Sequence, residues 1–246
     1  MTPRPRALLL VGTDTEVGKT HVACALLHAA RELGLRAVPF KPAESGIADL
    51  PDATTDSARL LAAAGLSPTE RDLVCPLRYD APLAPGVADD PRRFLPGAPD
   101  PDPKPLQTCL RALDRLIALH APDLVVVEPA GGFHVPMPGG TWQPAWLAAL
   151  DETLGPHTPT VIVARAGLGT LNHTLLTAHA LTQAGHRVVG FILNAPFPSD
   201  ASAATNAQVL AATGLPHLGT IEHADHTLAP TAARALFSHL GLLGAG

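Results

Sequence analysis

Residues 8–20 read LLLVGTDTEVGKT, an apolar run that leads into a turn flanked by glycines and ends in Gly18-Lys19-Thr20. This order predicts a β-strand followed by a phosphate-binding loop at the start of a helix, because such a loop turns its backbone N–H groups toward phosphate oxygens. Lys19 supplies a positive charge there, and Thr20 supplies a hydroxyl group for Mg²⁺. The loop is longer than the usual G-x-x-x-x-G-K-[ST] pattern, since five residues separate Gly12 from Gly18. The segment predicts a nucleotide site formed by Gly12, Thr13, Asp14, Thr15, Glu16, Val17, Gly18, Lys19 and Thr20.

The composition is typical of one α/β domain that acts on small molecules. The chain has 246 residues, 46% of them hydrophobic, and a formal net charge of -5. This length is enough to bury a full core in a single domain. No apolar run is long enough to span a membrane, and residues 1–6 lack the apolar core of a secretory signal, so we expect a soluble, cytoplasmic protein. The basic runs are no longer than Arg92-Arg93, which gives no electrostatic footprint for nucleic acid.

Apolar runs alternate with amphipathic segments along the chain. The predicted strands are 7–11, 36–40, 123–127, 160–164, 187–193 and 217–221, and the predicted helices are 19–33, 55–64, 106–119, 171–184 and 201–212. This alternation predicts a mostly parallel central sheet with helices on both faces and ligands at the carboxyl ends of the strands. The proline-rich stretch 82–105 interrupts the pattern, and we expect it to be either a binding loop or disordered.

Three polar side chains come at the ends of predicted strands. Lys41 follows the second strand, Glu128 the third and Asn194 the fifth. A lysine at the end of a buried strand is costly unless it meets an anion, and a carboxylate is costly unless it meets a cation such as Mg²⁺. Each residue alone could equally be a structural cap or a surface group. Together with the phosphate loop they predict one pocket.

These features resemble the dethiobiotin synthetases, enzymes of biotin biosynthesis that close a cyclic urea from a vicinal diamine, CO2 and ATP. The resemblance spans most of the chain and rests on residues 12–20, Lys41-Pro42 with Ser45-Gly46, Asp56, Glu128 with Gly131-Gly132, Gly169-Thr170-Leu171-Asn172-His173, and Gly190 with Asn194. It implies a single-domain P-loop NTPase-like fold with ATP and Mg²⁺ as cofactors and 7,8-diaminononanoate as substrate. It also implies a homodimer with the site at the interface, where the 169–172 segment of the partner subunit receives the substrate carboxylate.

The resemblance also implies roles for individual residues. Thr20, Asp56 and Glu128 would hold Mg²⁺, and Asn194 would contact the nucleotide base. The implied catalytic residues are Lys19, Lys41, Thr15 and Glu16, and the implied substrate-binding residues are Lys41, Ser45, Pro82, Gly131, Leu171 and Asn172.

The chain departs from the family pattern at three places. Pro129 stands where the family usually has glycine, and proline removes one N–H from that turn. Leu83-Ala84 lie between two prolines where many members have hydroxyl residues, and Glu222 replaces a common proline. These departures bear on substrate and nucleotide preference and leave a diverged paralogue as an alternative.

Two other classes of protein share the loop type. An ATPase switch that positions cell components or partitions DNA normally has a lysine near the start of the loop, where this chain has Thr13-Asp14. An amide-forming ligase that acts on a larger carboxylate scaffold usually carries an additional glutaminase domain, for which this chain has no room.

Overall fold

The computed structural model describes residues 4–195, 201–222 and 228–243. Within these ranges the strands are β1 (Arg6–Gly12), β2 (Ala37–Phe40), β3 (Ala43–Ser45), β4 (Leu77–Tyr79), β5 (Leu124–Val127), β6 (Pro136–Met137), β7 (Thr141–Trp142), β8 (Pro159–Arg165), β9 (Arg187–Asn194) and β10 (His217–Ile221). The helices are α1 (Lys19–Glu32), α2 (Asp56–Ala64), α3 (Arg71–Val74), α4 (Pro85–Asp89), α5 (Lys104–His120), α6 (Gln143–Leu154), α7 (Thr170–Gln183), α8 (Ala203–Ala212) and α9 (Pro230–His239).

The central sheet has six strands in the order β10-β9-β8-β1-β5-β2. Every neighbouring pair in it is parallel, which confirms the predicted parallel sheet. β1 lies inside the sheet, with Leu9 beside Val127 of β5 and Thr160 of β8. The carboxyl end of β1, where the phosphate loop begins, is therefore surrounded by the ends of other strands.

The side chains of β1 alternate between two hydrophobic layers. Leu8 and Leu10 pack in one layer with α1 and α9, whereas Leu9 and Val11 pack in the other with α5, α6 and α7. Successive side chains of a strand point to opposite faces, so an uninterrupted apolar strand needs cover on both sides. The predicted helices on both faces are confirmed. Within the described ranges, no helix has the length and apolar character needed to cross a bilayer.

Residues 82–105 are ordered, so disorder was the wrong alternative for this stretch. It contains α4 and a 3₁₀ turn over Pro91–Phe94. The Asp90 carboxylate caps that turn at the N–H of Arg92, at 3.1 Å, and pairs with the Arg92 guanidinium at 2.8 Å. Short-range polar contacts of this kind hold a proline-rich segment that has little hydrophobic periodicity.

Candidate active site

A cavity of about 810 Å³ opens at the carboxyl edge of the sheet, as predicted. Most of the residues singled out from the sequence line it: Thr15, Glu16, Gly18, Lys19, Thr20, Lys41, Ser45, Asp56, Pro82, Glu128, Gly131 and Asn194. The first residues of the 82–105 stretch, Pro82 to Pro85, line the cavity, and Pro82 packs against Gly46. This part of the stretch agrees with the predicted binding loop. Gly12, Thr13, Asp14 and Val17 belong to the loop behind the lining, and Leu171 and Asn172 lie outside the cavity.

The phosphate loop is packed too closely for larger residues at its first glycine. A Cβ atom at Gly12 would lie 2.8 Å from the Asp14 carbonyl oxygen and 2.9 Å from both Lys19 Nζ and the Gly131 carbonyl oxygen. Thr13 N–H donates to the Val163 carbonyl at 3.0 Å, which fixes the start of the loop to β8. Gly12 therefore allows the loop, the lysine and the turn after β5 to meet.

The lengthened loop turns through Glu16, a non-glycine residue at φ +58°. This left-handed conformation costs about 1–3 kcal/mol for such a residue. Glu16 is exposed and lines the cavity. The strained backbone places a carboxylate beside the phosphate loop, where it is available to a bound ligand.

Lys19 is 7% exposed, and its Nζ donates to the Asp14 carbonyl oxygen at 3.2 Å. Burial lowers the pKa of Lys19 to about 8, although the Glu128 carboxylate works in the opposite direction. A lysine ammonium held here without a close carboxylate partner is suited to pair with the oxygens of a phosphate group.

Lys41, Glu128, Asp56 and Thr20 form one polar cluster at the base of the cavity. Lys41 Nζ lies 2.6 Å from Glu128 Oε1 and 3.0 Å from Asp56 Oδ2. The Thr20 hydroxyl donates to the same Glu128 Oε1 at 2.7 Å. The cluster joins the ends of β2 and β5 to the starts of α1 and α2, so four elements that are distant in sequence share one site.

The charges of this cluster support one another. Burial opposes the charged form of Lys41, but the Glu128 and Asp56 carboxylates outweigh it and hold the pKa of Lys41 above its ordinary value. Burial would raise the pKa of Asp56, yet the Lys41 ammonium keeps it below its usual range. Lys41 and Asp56 are therefore both charged at neutral pH.

Glu128 retains one free oxygen. Its side chain is 1% exposed, and among the described residues its Oε2 atom has no hydrogen-bond partner. Such an atom is costly unless a ligand satisfies it. With the Asp56 carboxylate and the Thr20 hydroxyl it provides the hard oxygen donors that Mg²⁺ prefers, so the residues fit that ion.

Glu44 is a member of the site that was missed from the sequence. It is 5% exposed, lines the cavity, and its Oε1 accepts from the N–H of Asp56 at 2.5 Å. Its second oxygen accepts from Ser57 N–H at 3.3 Å. A carboxylate at a helix N-terminus is stabilised by the free N–H groups, and here it fixes the turn that carries Asp56. The capping residue lies 12 positions before the helix, so no local capping pattern reveals it.

Asn194 lies at the end of β9, beside the phosphate loop. Its side-chain amide donates to the Val17 carbonyl at 3.2 Å. A Cβ atom at Gly18 would lie 2.0 Å from Asn194 Nδ2, and Gly18 itself has φ +94°. Glycine is therefore required at position 18 both by its backbone conformation and by the neighbouring amide.

Leu171 and Asn172 begin α7, away from the cavity of their own chain. Asn172 is exposed, and so are Leu168 (89%) and Leu176 (60%) nearby. Their predicted role in substrate binding is not met by the cavity of a single chain.

The parallel sheet, the Gly-Lys-Thr loop at the start of α1 and the carboxylates at the strand ends define a P-loop protein. The chain matches a family model described as "AAA domain" over residues 6–95 and 102–231. Solved structures of similar fold include chloroplast FtsY from Physcomitrella patens, with a TM-score of 0.54 and 17% sequence identity, covering 96% of this chain and 66% of that one. FtsY from Elizabethkingia anophelis also has a TM-score of 0.54, with 14% identity and the same two coverages. This chain thus spans slightly less than two thirds of the length of those proteins, and at such identities the likeness concerns the fold alone.

Sequence relatives define the family more closely. The chain is 43% identical over 196 residues to the ATP-dependent dethiobiotin synthetase BioD of Anaeromyxobacter dehalogenans strain 2CP-1, which covers 79% of each chain. It is 41% identical to the enzyme of the same name from Anaeromyxobacter sp. strain Fw109-5, over 89% of this chain and 90% of the relative. The corresponding protein of Aromatoleum aromaticum is 36% identical, over 89% of this chain and 91% of the relative. The chain belongs to the ATP-dependent dethiobiotin synthetase family.

Proposed function

We propose that this chain forms dethiobiotin from 7,8-diaminononanoate, CO2 and ATP, releasing ADP and phosphate, in the cytoplasm. The observation that carries the proposal is the meeting of two buried lysines with the phosphate loop in one cavity: Lys19 from the loop itself and Lys41 from the end of β2. This arrangement suits a reaction in which negative charge moves between a phosphate and a substrate carbamate. The relatives named above carry the same activity in their names.

The reaction requires three bond-forming steps. One amine of the substrate attacks the carbon of CO2 and loses a proton, which gives a carbamate. A carbamate oxygen takes the γ-phosphoryl group of ATP as the bond to ADP breaks. The second amine then attacks the carbamoyl carbon and expels phosphate, which closes the ring. The protein forms no covalent bond in this scheme, so its contribution is positioning and charge stabilisation.

Two lysine ammonium groups stabilise the negative charge at different places in the reaction. Lys19 stabilises the phosphate oxygens of ATP, and Lys41 stabilises the carbamate and then the mixed anhydride. Thr15 and Glu16 line the reaction centre from the loop side. Ser45, whose hydroxyl donates to the Leu83 carbonyl at 2.6 Å, lines it from the substrate side.

Thr20, Asp56 and Glu128 would hold Mg²⁺, which neutralises phosphate charge when bound. The free Oε2 atom of Glu128 supports this assignment. Lys41 contacts both carboxylates, so it orders the two candidate ligands in the absence of the ion.

Removing a charged ligand should change the Mg²⁺ requirement. We expect Asp56→Asn and Glu128→Gln each to raise the Mg²⁺ concentration for half-maximal turnover by about tenfold or more, because a hard cation loses an anionic oxygen. The measurement is the rate of dethiobiotin formation across a Mg²⁺ titration. Asp114→Asn, an exposed carboxylate on α5, is the control and should leave the titration unchanged. An unchanged requirement in both site variants would make the two carboxylates structural.

We further propose that the protein is a homodimer in which Leu171 and Asn172 complete the partner's site. The segment opens α7, where free backbone N–H groups and the Asn172 amide suit a carboxylate group of the substrate. The exposed leucines next to it, Leu168 and Leu176, offer apolar surface for a second copy.

Subunit mixing tests this composite site. Lys19→Ala and Asn172→Ala chains should each be inactive alone, but random exchange gives heterodimers with one intact site. We expect recovery of about a quarter of the wild-type activity, because half of the dimers are mixed and each has one working site of two. Exchange is checked with differently tagged chains. If exchanged dimers stay inactive, Asn172 does not act across the interface.

The activity is tested by incubating the protein with 7,8-diaminononanoate, bicarbonate, Mg²⁺ and a panel of nucleoside triphosphates. Dethiobiotin should appear in the mass spectrum together with equimolar nucleoside diphosphate. An ATPase switch would release phosphate without consuming the diamine, and a diverged paralogue would leave the diamine unchanged. Either result would overturn the proposal. The nucleotide panel also shows whether the Glu222 departure alters base preference.

A further inference from the structure

A second cavity, of about 470 Å³, lies at the opposite end of the sheet from the first. It is formed where β1, β8 and β9 begin and where α6 and α9 end, and its lining includes Arg6, Pro159, Arg187, Leu154 and His239. None of its lining residues belongs to the site described above. The proposed activity therefore assigns it no task.

The ionisable residues that line this cavity are all basic. Arg4, Arg6 and Arg187 line it together with His157 and His239, and no aspartate or glutamate of the described ranges does. Three arginines therefore meet in one concavity of a chain whose net charge is -5. A concave cluster of one sign raises the local concentration of oppositely charged small molecules.

Six arginines in the described part of the chain pair with carboxylates, whereas Arg4, Arg6 and Arg187 do not. Other described arginines, such as Arg111 and Arg234, also lack an ion pair, so what distinguishes these three is that they line one cavity. Arg36, Arg59, Arg71, Arg78, Arg92 and Arg93 each lie within 4.0 Å of an aspartate oxygen. Between residues 4 and 243, leaving aside the undescribed gaps, no carboxylate comes that close to Arg4, Arg6 or Arg187. Arg187 instead donates to His239 Nε2 at 2.8 Å, which requires that nitrogen to be an acceptor and leaves the guanidinium charge uncompensated.

The end of α9 does not need these arginines as hydrogen-bond caps. The end of α9 is already satisfied by backbone groups, because Gly241 N–H donates to the Ser238 carbonyl at 2.9 Å and Leu242 N–H to the Phe237 carbonyl at 2.9 Å. This is the usual glycine-terminated helix end, with Gly241 at φ +69°. The guanidinium of Arg6 passes over Gly241, where a Cβ atom would come within 3.4 Å of it. A Cβ atom at that distance would make an ordinary van der Waals contact, so Gly241 is required by its positive φ and not by the arginine.

We propose that this cavity binds a phosphorylated small molecule. Guanidinium groups match the oxygens of a phosphate in two-point hydrogen bonds, and three of them in one cavity favour a ligand with more than one negative charge. The volume exceeds that of a single inorganic phosphate and leaves room for an organic part beside Leu154 and Pro159. The ligand occupies the end of the sheet away from the catalytic cavity, so both sites can be filled together.

The test measures pyrophosphate binding in a chain whose phosphate loop is disabled. In the Lys19→Ala background, equilibrium dialysis with labelled pyrophosphate should reveal one remaining site per chain with a dissociation constant below about 1 mM. Adding Arg4→Gln, Arg6→Gln and Arg187→Gln should raise that constant at least tenfold. Because these side chains are exposed, the substitutions should leave the circular dichroism spectrum and melting temperature close to those of the background.

A matched variant separates a site from a general effect of charge. Arg111→Gln, Arg115→Gln and Arg234→Gln remove the same number of exposed positive charges outside the cavity and should leave the dissociation constant unchanged. Equal weakening by both triple variants, or no binding at millimolar pyrophosphate in the background chain, would overturn the proposal. The readout is pyrophosphate binding and not dethiobiotin synthesis. A negative result for this cavity therefore says nothing against the proposed activity, and the reverse also holds.

Discussion

Replacing Lys41 with methionine is expected to slow dethiobiotin formation by about 10²-fold or more while ATP binding stays nearly normal. Methionine keeps much of the length of the side chain and removes its charge. Lys41 is 4% exposed and follows β2, and its Nζ shares Glu128 Oε1 with the Thr20 hydroxyl at the end of the phosphate loop. In the proposed mechanism this ammonium meets the carbamate oxygens. A preorganised charge of this kind contributes mainly when the mixed anhydride forms, and the loss should appear in kcat.

The same substitution should also destabilise the fold. Lys41 Nζ lies 2.6 Å from Glu128 Oε1, and Glu128 is 1% exposed, so methionine leaves a buried carboxylate without its cation. Breaking a buried pair in this way costs about 3–5 kcal/mol. We therefore expect a lower melting temperature for Lys41→Met, partly restored by high Mg²⁺ if Glu128 is a ligand.

A double variant separates stability from catalysis. Lys41→Met with Glu128→Gln removes both charges of the pair and should recover most of the lost stability, because no unpaired ion remains buried. At saturating Mg²⁺ it should stay about 10²-fold slower than Glu128→Gln alone, because only the double variant lacks the Lys41 charge. Equal rates for these two variants would mean that Lys41 only supports the fold. Loss of ATP binding in Lys41→Met with intact diamine binding would instead make Lys41 a nucleotide ligand, contrary to the carbamate role.

Replacing Lys19 with alanine should lower the rate of ATP turnover by about 10²-fold or more without unfolding the protein. Within the residues that the structure describes, its ammonium donates to the Asp14 carbonyl at 3.2 Å and makes no ion pair, so its removal leaves no buried partner charge behind. Turnover is measured as ADP release, and folding by thermal melting. The chain offers a matched control in Lys104→Ala, an exposed lysine at the start of α5, which should keep full activity. Full activity in Lys19→Ala would contradict the assignment of the phosphate loop.

The ATP affinity of the wild-type chain should depend on pH through the protonation of Lys19. Burial lowers the pKa of Lys19 to about 8 in the free protein. The charged form that pairs with phosphate is therefore complete well below pH 8 and is lost as the pH rises through that value. ATP affinity should weaken correspondingly between about pH 7 and 9, whereas Lys19→Ala should show a flat profile over this range.

The regular part of the fold could be predicted because its signals are local. The six strands of the sheet and five of the helices follow from hydrophobic runs and periodicity. The Gly-Lys-Thr loop and the strand ends predicted part of the cavity lining, namely Thr15, Glu16, Gly18, Lys19, Thr20, Lys41, Glu128 and Asn194. α6 and α9 were not assigned, and neither were the short pairs β3 with β4 and β6 with β7, which depend on contacts between distant segments. Strands of two or three residues have too little sequence to show a period.

The polar network could be predicted only as a set of residues. Nothing in the sequence says that Lys41 contacts Asp56 and Glu128 at once, or that Glu44 holds the first turn of α2. Those contacts join residues 12 to 87 positions apart, and they form only when the sheet brings their strands together. The position of Asn172 outside the cavity likewise depends on where α7 packs, which its own periodicity does not define.

The contact between Gly18 and Asn194 limits how this active site can change during evolution. The amide of Asn194 fills the space that a side chain at position 18 would need, and the positive φ of Gly18 disfavours such a side chain as well, so position 18 is held as glycine. Under the proposed role of Asn194 in contacting the nucleotide base, a larger residue at position 194 would have to displace the loop at Gly18. Shifts in base preference in this chain should therefore arise at residues around Asn194, with the asparagine itself unchanged.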